Sequence, residues 1–319
     1  MSYNYYLPEG EKLHTQENLS YISSLSGLER AMREDRILEA VALKCDEDFN
    51  LHLNLYGIKA IIPREECLLT HKNESIKDIA IITRVGKPVC FKVKSIEQDG
   101  DTYIAILSRK DAQTECQSYY LASLRAGDII RASVTHLDTF GAFMDVGCGI
   151  PSLLSIDCIS VSRISHPSDR LSVGQKIDAV VKSNNIASGR LYLTLKELLG
   201  TWEENASAFC IGQTVSGIVR SIESYGIFVE LSPNLAGLAE LNDTRSVFKD
   251  LQTGDRVSVY IKSIIPERMK IKLVLIDINP SSEERARLKY YVDTSTVTHI
   301  DEWSYSPARC SRLIESVFE

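Results

Sequence analysis

The stretch FGAFMDV, Phe140 to Val146, alternates at the two-residue period of a β-strand: Ala142, Met144 and Val146 fall on one side, Phe143 and Asp145 on the other. The pattern comes back as YGIFVEL, Tyr225 to Leu231, with Ile227, Val229 and Leu231 on the apolar side and Phe228 and Glu230 on the polar side. Each copy therefore sets a phenylalanine beside a carboxylate on the face turned away from a core. Burying such a ring is worth roughly 1.5 to 3 kcal/mol, so forgoing that gain twice points to a partner with a flat apolar face. The other aromatic of each copy, Phe140 or Tyr225, stands three residues earlier and would face the opposite way on a regular strand. The intervening Gly141 or Gly226 predicts a bulge that brings both rings onto one surface as a stacking platform. Packing of the rings in a core is the alternative reading.

The same alternation organises the rest of the chain. Leu25, Leu28 and Met32 recur at helical spacing within Ser23 to Met32, which predicts a short helical arm over residues 1–33. Strands are expected at ILEAVAL, FNLHLNL, GIKAIIP, CFKVKSI and YIAIL within residues 34–110. This unit aligns with the later ones as a degenerate copy, Phe49 standing against Phe140 and His52 against Phe143. A linker helix is predicted at Lys110 to Leu124, and the linker as a whole at 111–126. The second unit, 127–199, reads IIRASVTHL, FGAFMDV, GIPSLLS, an excursion punctuated by Pro167 and Gly174, KIDAVVKS, the turn NNIASG, and RLYLTLK. In that last strand Arg190, Tyr192, Thr194 and Lys196 face out. A second linker helix is predicted at ELLGTWEENASAF, ending near Gly212, with the linker at 200–211. The third unit, 212–277, repeats the order with TVSGIVRSI, YGIFVEL, AGLAEL, RVSVYIKSI and KIKLVLI. A tail, 278–319, offers a polar helix at SSEERARLKYY and a closing helical segment around Leu313 to Phe318, with Trp303 and Tyr305 docking it on the last unit or the arm. Five short strands in roughly 70 residues, with one excursion between the third and fourth, describe a small OB-type barrel. The fold expected is mainly β, three tandem five-stranded barrels joined by linker helices.

Composition narrows the function. The chain has 319 residues, 44% hydrophobic and 25% charged, ordinary for a soluble protein of two or more domains. Its opening residues lack a basic leader before an apolar run, and no apolar run approaches membrane-spanning length, so the expectation is a cytoplasmic protein with no membrane partner. The eight cysteines include no CxxC pair and read as small buried hydrophobes in a reducing compartment, with neither a metal site nor a disulfide framework. A net charge of −7 argues against tight non-specific binding to phosphates. Residues 127–199 carry 7 basic and 7 acidic groups and residues 212–277 carry 8 and 8, so nucleic-acid contact would rest on stacking with a few placed cations.

The residues GDIIRASVTHLDTFGAFMDVGCGIPSLL with GQKIDAVVKSNNIASGRLYLTLKELLGTWEE resemble the S-one domain, the RNA-binding repeat of the largest small-subunit ribosomal protein. GQTVSGIVRSIESYGIFVELSPNLAGLAEL followed by DRVSVYIKSI is similar to it as well. The likeness covers 127–277, extends weakly to 34–110, and makes the whole chain look like the short three-repeat S-one proteins of Gram-positive bacteria. It implies an OB barrel that binds single-stranded RNA, with the ribosomal small subunit as a further partner. Carried onto this sequence, the contacts implied are Phe140, Phe143, Arg190 and Lys196 in the second unit and Tyr225, Phe228, Lys270 and Lys272 in the third, with Tyr192 and Arg220 beside them. The family often has a histidine in the third strand, where this chain has Ala60, Ser152 and Glu240.

Arg163 and His166 lie in the excursion of the second unit, near a loop that OB folds use for ligands. They also read as a solvated arginine and a histidine packed on Pro167. His136 either stacks beside Phe140 or, more simply, finishes its strand. Catalysis finds no support: there is no GxxxxGK[ST], HExxH or GxSxG, the six histidines do not pair at ligand spacing, and GCG at Gly147 to Gly149 reads as a turn. Asp46, Glu47 and Asp48 read as solvent-facing loop charge. The function expected is thus a non-enzymatic RNA binder acting in translation, without cofactor, metal or small-molecule substrate. The alternative is a protein-interaction scaffold in ribosome or RNA-decay assemblies, built on barrels that have lost RNA contact.

Overall fold

The computed structural model describes residues 6–70, 75–100, 102–185, 190–240, 251–278 and 288–318. Fifteen of its strands close into three five-stranded barrels. The first comprises β1 (Leu38–Cys45), β2 (Leu51–Leu55), β3 (Ile58–Ile62), β4 (Pro88–Asp99) and β5 (Thr102–Ser108). The second comprises β6 (Ile129–Asp138), β7 (Gly141–Asp145), β8 (Pro151–Ser155), β9 (Lys176–Asn185) and β10 (Arg190–Thr194). The third comprises β11 (Thr214–Glu223), β12 (Gly226–Ser232), β13 (Leu235–Glu240), β14 (Arg256–Ile265) and β15 (Lys270–Ile278). Connectivity is the same in all three: a meander of three strands, then a fourth and fifth returning so that the fifth runs parallel to the third and closes the barrel. The chain forms two compact units. One holds Met1–Leu124, Arg131–Ser133 and Asp145–Pro151; the other holds Arg125–Ile130, Val134–Met144 and Ser152–Glu319.

The alternation read from the sequence sorts side chains as expected at most positions. Leu51, Leu53 and Leu55 are buried, as are Ala142 and Met144 on β7 and Ile227 and Val229 on β12. Inside the first barrel Phe91, Leu107 and Ile62 share one buried core, to which the helical arm adds Tyr21, Ile22, Leu28 and Ala31. That arm is two helices, α1 (Gln16–Ile22) and α2 (Leu25–Arg33), capped by the Thr15 and Ser24 hydroxyls. Only α2 was expected.

Other connectors differ from expectation. A separate short helix, α3, spans Asp78–Ile82; the first linker begins as α4 (Arg109–Glu115), which loosens into a π turn at Cys116–Tyr120 and a 3-10 turn at Leu121–Ser123. The second is interrupted. A 3-10 turn at Lys196–Leu199 ends at Gly200, whose φ of 83° lies in the left-handed region, and α5 (Trp202–Ala206) then starts on a Thr201–Glu204 capping box. Lys196 therefore sits in a helical turn and not on the outward face of the fifth strand. The closing segment expected as a helix is a strand, β17 (Glu315–Val317), paired with β16 (Glu302–Ser304). The polar helix expected over 281–291 falls mostly outside the described residues, as does most of the NNIASG turn. Trp303 and Tyr305 join the core of the third barrel, which places the tail on that barrel.

Candidate nucleic-acid interface

Phe140 does not belong to a strand. It occupies the tight turn between β6 and β7 and is 49% exposed; Tyr225 holds the same place before β12 and is 60% exposed. Period-two alternation does not apply to a turn residue, so each ring is free to fold onto the face of the phenylalanine that follows. The ring centroids of Phe140 and Phe143 are 5.7 Å apart with planes at 88°, and those of Tyr225 and Phe228 are 6.2 Å apart at 90°. These are edge-to-face pairs. His136 on β6 stacks on Phe143 at 6.0 Å with planes 30° apart, so it adds a third ring to the second barrel instead of only finishing its strand.

The glycine acts otherwise than as a bulge. A Cβ on Gly141 would stand 2.6 Å from the Leu154 carbonyl oxygen, and one on Gly226 would stand 2.8 Å from that of Ala239. Its absence lets the third strand lie close beneath the rings. The bulge belongs to the preceding strand, where Arg220 is the extra residue between Val219 and Ser221 on β11, as Leu43 is on β1.

The carboxylates beside the rings are not on a wet face. Asp145 is 4% exposed and accepts from the backbone N–H groups of Glu9 (2.7 Å), Gly147 (2.9 Å) and Gly149 (3.0 Å). Burial, followed by the charge of Glu9, pushes its carboxyl up to about 7. GCG is thus a turn whose N–H groups serve its own aspartate. Glu230, 3% exposed, accepts from Arg170 and, at 2.7 Å, from Nε of Arg220, whose Nη1 reaches Asp169 at 3.0 Å. Polar segments cover that end of each strand and supply the partners, which is why alternation mislabels it.

The expected cations consequently divide. Arg220 is held by Glu230 and Asp169, and Lys272 pairs with Glu240 at 3.0 Å. The Lys272 bond holds the Glu240 carboxyl below its usual range. Lys270 opens β15 and is exposed, and Tyr192 is half-buried on β10. Arg190 opens β10. His166 is a cap: its Nδ1 accepts from the Ser168 backbone N–H at 3.1 Å, starting the 3-10 turn Pro167–Asp169. Arg163 is exposed and lines a cleft with Tyr225 and Phe228.

In the first barrel the equivalent pair is modified. Phe49 is half-buried against the core beneath the Arg64 guanidinium, 5.3 Å from the ring centroid. His52 bonds Asp46 at 2.8 Å, and this contact, together with the Asn50 N–H, draws the Asp46 carboxyl down to about 2. Asp46 is therefore the staple of its hairpin and not idle loop charge.

Residues 123–196, which contain the second barrel, match the family model of the S1 RNA binding domain. The chain is 30% identical over 206 residues to small ribosomal subunit protein bS1 of Leuconostoc lactis, covering 61% of this chain and 48% of that protein. It is 28% identical over 278 residues to bS1 of Staphylococcus haemolyticus strain JCSC1435, covering 84% and 67%. The protein is S1-like, with its domains in tandem. A third relative is 4-hydroxy-3-methylbut-2-enyl diphosphate reductase of Clostridium tetani strain Massachusetts / E88, 29% identical over 254 residues that cover 76% of this chain and 39% of that protein. The S1-like chain spans about half the length of the Leuconostoc relative. No helix among its described residues is long and apolar enough to cross a membrane.

Sequence reasoning missed the residues outside the S1-type motif. Arg312 and Tyr305 of the tail, with Trp202 of α5, share the cleft of Tyr225 and Phe228. Only the fold of the tail brings them there, and no local pattern announces it. The recurrent Val-Lys-Ser and Ile-Lys-Ser of the fourth strands was a readable signal. Lys94, Lys182 and Lys262 each stand as the extra residue of a bulge at the same point of β4, β9 and β14.

Proposed function

We propose that the chain is a non-enzymatic binder of single-stranded RNA that acts in translation in the cytoplasm, with the small ribosomal subunit as its larger partner. The observation that carries this reading is the second barrel's ring group, exposed Phe140 and His136 packed around half-buried Phe143. Unpaired bases stack on such faces for roughly 1 to 3 kcal/mol each, without demanding a sequence. The third barrel contributes Tyr225 and Phe228, and we take Lys270, Arg190 and Tyr192 as further contacts on the strength of the sequence pattern alone. The working division of the chain is an arm (1–33), a first barrel (34–110) that spaces, a linker (111–126), two reading barrels (127–199 and 212–277) joined by 200–211, and a tail (278–319). The reductase relative lends no enzymatic reading, because the similarity covers 39% of that protein.

Titrating a labelled, unstructured RNA of about a dozen nucleotides, within the ~4 to 16 that one OB fold occupies, tests the reading at two salt concentrations. Saturable binding that weakens with salt and falls at least tenfold in the Phe143→Ala, Phe228→Ala double variant is expected, about 1.4 kcal/mol or more. Affinity that is unchanged in a folded double variant would rule out stacking. Binding insensitive to salt would favour the scaffold.

A further inference from the structure

The third barrel's rings face a cleft of about 440 Å³ to which three separate segments contribute. Two of the cations its own strands would offer are engaged, Arg220 by Glu230 and Asp169 and Lys272 by Glu240. The cleft is nonetheless lined by two further guanidinium-bearing residues, Arg163 from the excursion of the second barrel and Arg312 from the tail. Both are exposed, and neither is paired with a carboxylate among the described residues. Glu223 is the one acidic residue among the cleft's described lining, so the open cations outnumber it.

Both arginines are carried on anchored backbone. The excursion is tied down on either side of Arg163. Before it, the Val161 N–H donates to Asn234 Oδ1 at 2.9 Å; after it, Asp169 and Arg170 join the buried ion group of Arg220 and Glu230. The loop carrying Arg312 is closed by β16 and β17, by Tyr305 N–H to the Ile314 carbonyl (2.9 Å) and by Ile314 N–H to Ser306 Oγ (2.8 Å). A ring-floored cleft whose open cations outnumber its one carboxylate, and arrive from two neighbouring segments, matches a nucleotide, with an apolar base face and an anionic phosphate.

We infer that this cleft is a composite site for one nucleotide of an RNA strand, the base stacking on Tyr225 or Phe228 and the phosphate held by Arg163 and Arg312. The inference rests on the RNA-binding reading above and assigns to the excursion and the tail a direct part in it. The third barrel then draws phosphate contact from its neighbours as well as from its own exposed Lys270.

The test is a salt series on the full-length chain with the same labelled RNA, comparing Arg163→Ala, Arg312→Ala and the double Arg163→Lys, Arg312→Lys variant. Each alanine variant should bind roughly threefold to tenfold more weakly and lower the slope of log K against log salt by about 0.7, the share of one phosphate contact on a single strand. The double lysine variant should restore the slope, because it keeps both charges. Both sites are exposed, and unchanged melting temperatures will verify that the fold persists. Parent binding that depends on Phe228 but keeps its slope in both alanine variants overturns the composite site alone. Absence of RNA binding by the parent overturns the broader reading and this inference together.

Discussion

Glu39 on β1 is buried, and the charge of Lys12 offsets that burial only in part. Its carboxylate accepts from the Gly10 and Lys12 backbone N–H groups at 2.9 and 3.0 Å, while Asn18 bonds its backbone on both sides at 2.9 Å. Burial is the largest influence, and with the charge of nearby Glu9 it outweighs those donors, raising the group from an ordinary 4.5 to about 7. Glu9 itself is buried too, but Arg109 at 2.6 Å, with Arg84, holds it below its usual range. Since the folded pKa of Glu39 is raised, the native state holds a proton that the unfolded chain releases between about pH 4.5 and 7. Its contribution to stability is therefore full at acid pH and lost as pH rises through that window. A shift of this size corresponds to about 3 kcal/mol. Glu39→Gln removes the titration and keeps an acceptor for the two N–H groups, so the variant should gain on the parent by about that amount between pH 5 and pH 8 in urea unfolding. Parallel stability curves would show that Glu39 does not titrate there.

Strands were legible because each buries one face, and alternation reports burial directly: the three leucines of β2 and the Ala142, Met144 pair of β7 fall as their spacing says. Alternation failed where a strand's outer face is covered by a segment remote in sequence, as at Asp145 and Glu230, whose partners are Glu9 and Arg170. Helices of the connectors were read too long, since five- to nine-residue pieces obey caps and interruptions more than periodicity. The ring pairs were found, but the mechanism assigned to their glycine was a bulge, and the geometry is a close approach. That difference is measurable. On Gly141 a methyl group would meet the backbone of β8, at 2.6 Å from Leu154 O and 2.9 Å from Ser155 Cα, and backbone cannot rotate away. Gly141→Ala should cost about 1 to 3 kcal/mol in chemical denaturation and displace the Phe140, Phe143 pair, weakening RNA binding. A bulge glycine without such contacts would lose about 1 kcal/mol at most. A loss within that smaller range, with RNA affinity kept, would reinstate the bulge.

One barrel plan is used three times, yet the copies are equipped differently. The first has its rings screened by Arg64 and Asp46, the second presents three of them, and the third shares its cleft with neighbouring segments. Sharing requires that the second and third barrels hold a fixed relation, and a single side chain concentrates that requirement. Asn234, in the turn between β12 and β13, is fully buried. Its Oδ1 accepts from Val161 N–H at 2.9 Å, and its Nδ2 donates to the carbonyls of Lys196 (2.9 Å) and Gly200 (3.1 Å). Its own carbonyl accepts from the Tyr305 hydroxyl. The excursion, the exit of the second barrel, the hairpin of the third and the tail thus meet at one amide. Asn234→Ala takes the partner from three backbone groups, at about 1 to 3 kcal/mol for each that water does not reach. Asn234→Asp keeps the acceptor but turns a carboxylate toward two carbonyls, and should be at least as damaging. Both tryptophans of the chain, Trp202 and Trp303, belong to the core of the third barrel, so their fluorescence reports this region alone. The fluorescence midpoint in urea should fall in both variants, and RNA affinity under folding conditions should fall with it as Arg163 and Arg312 lose their common frame. If the midpoint falls while affinity and salt slope hold, the two arginines do not need that frame to reach the same strand of RNA.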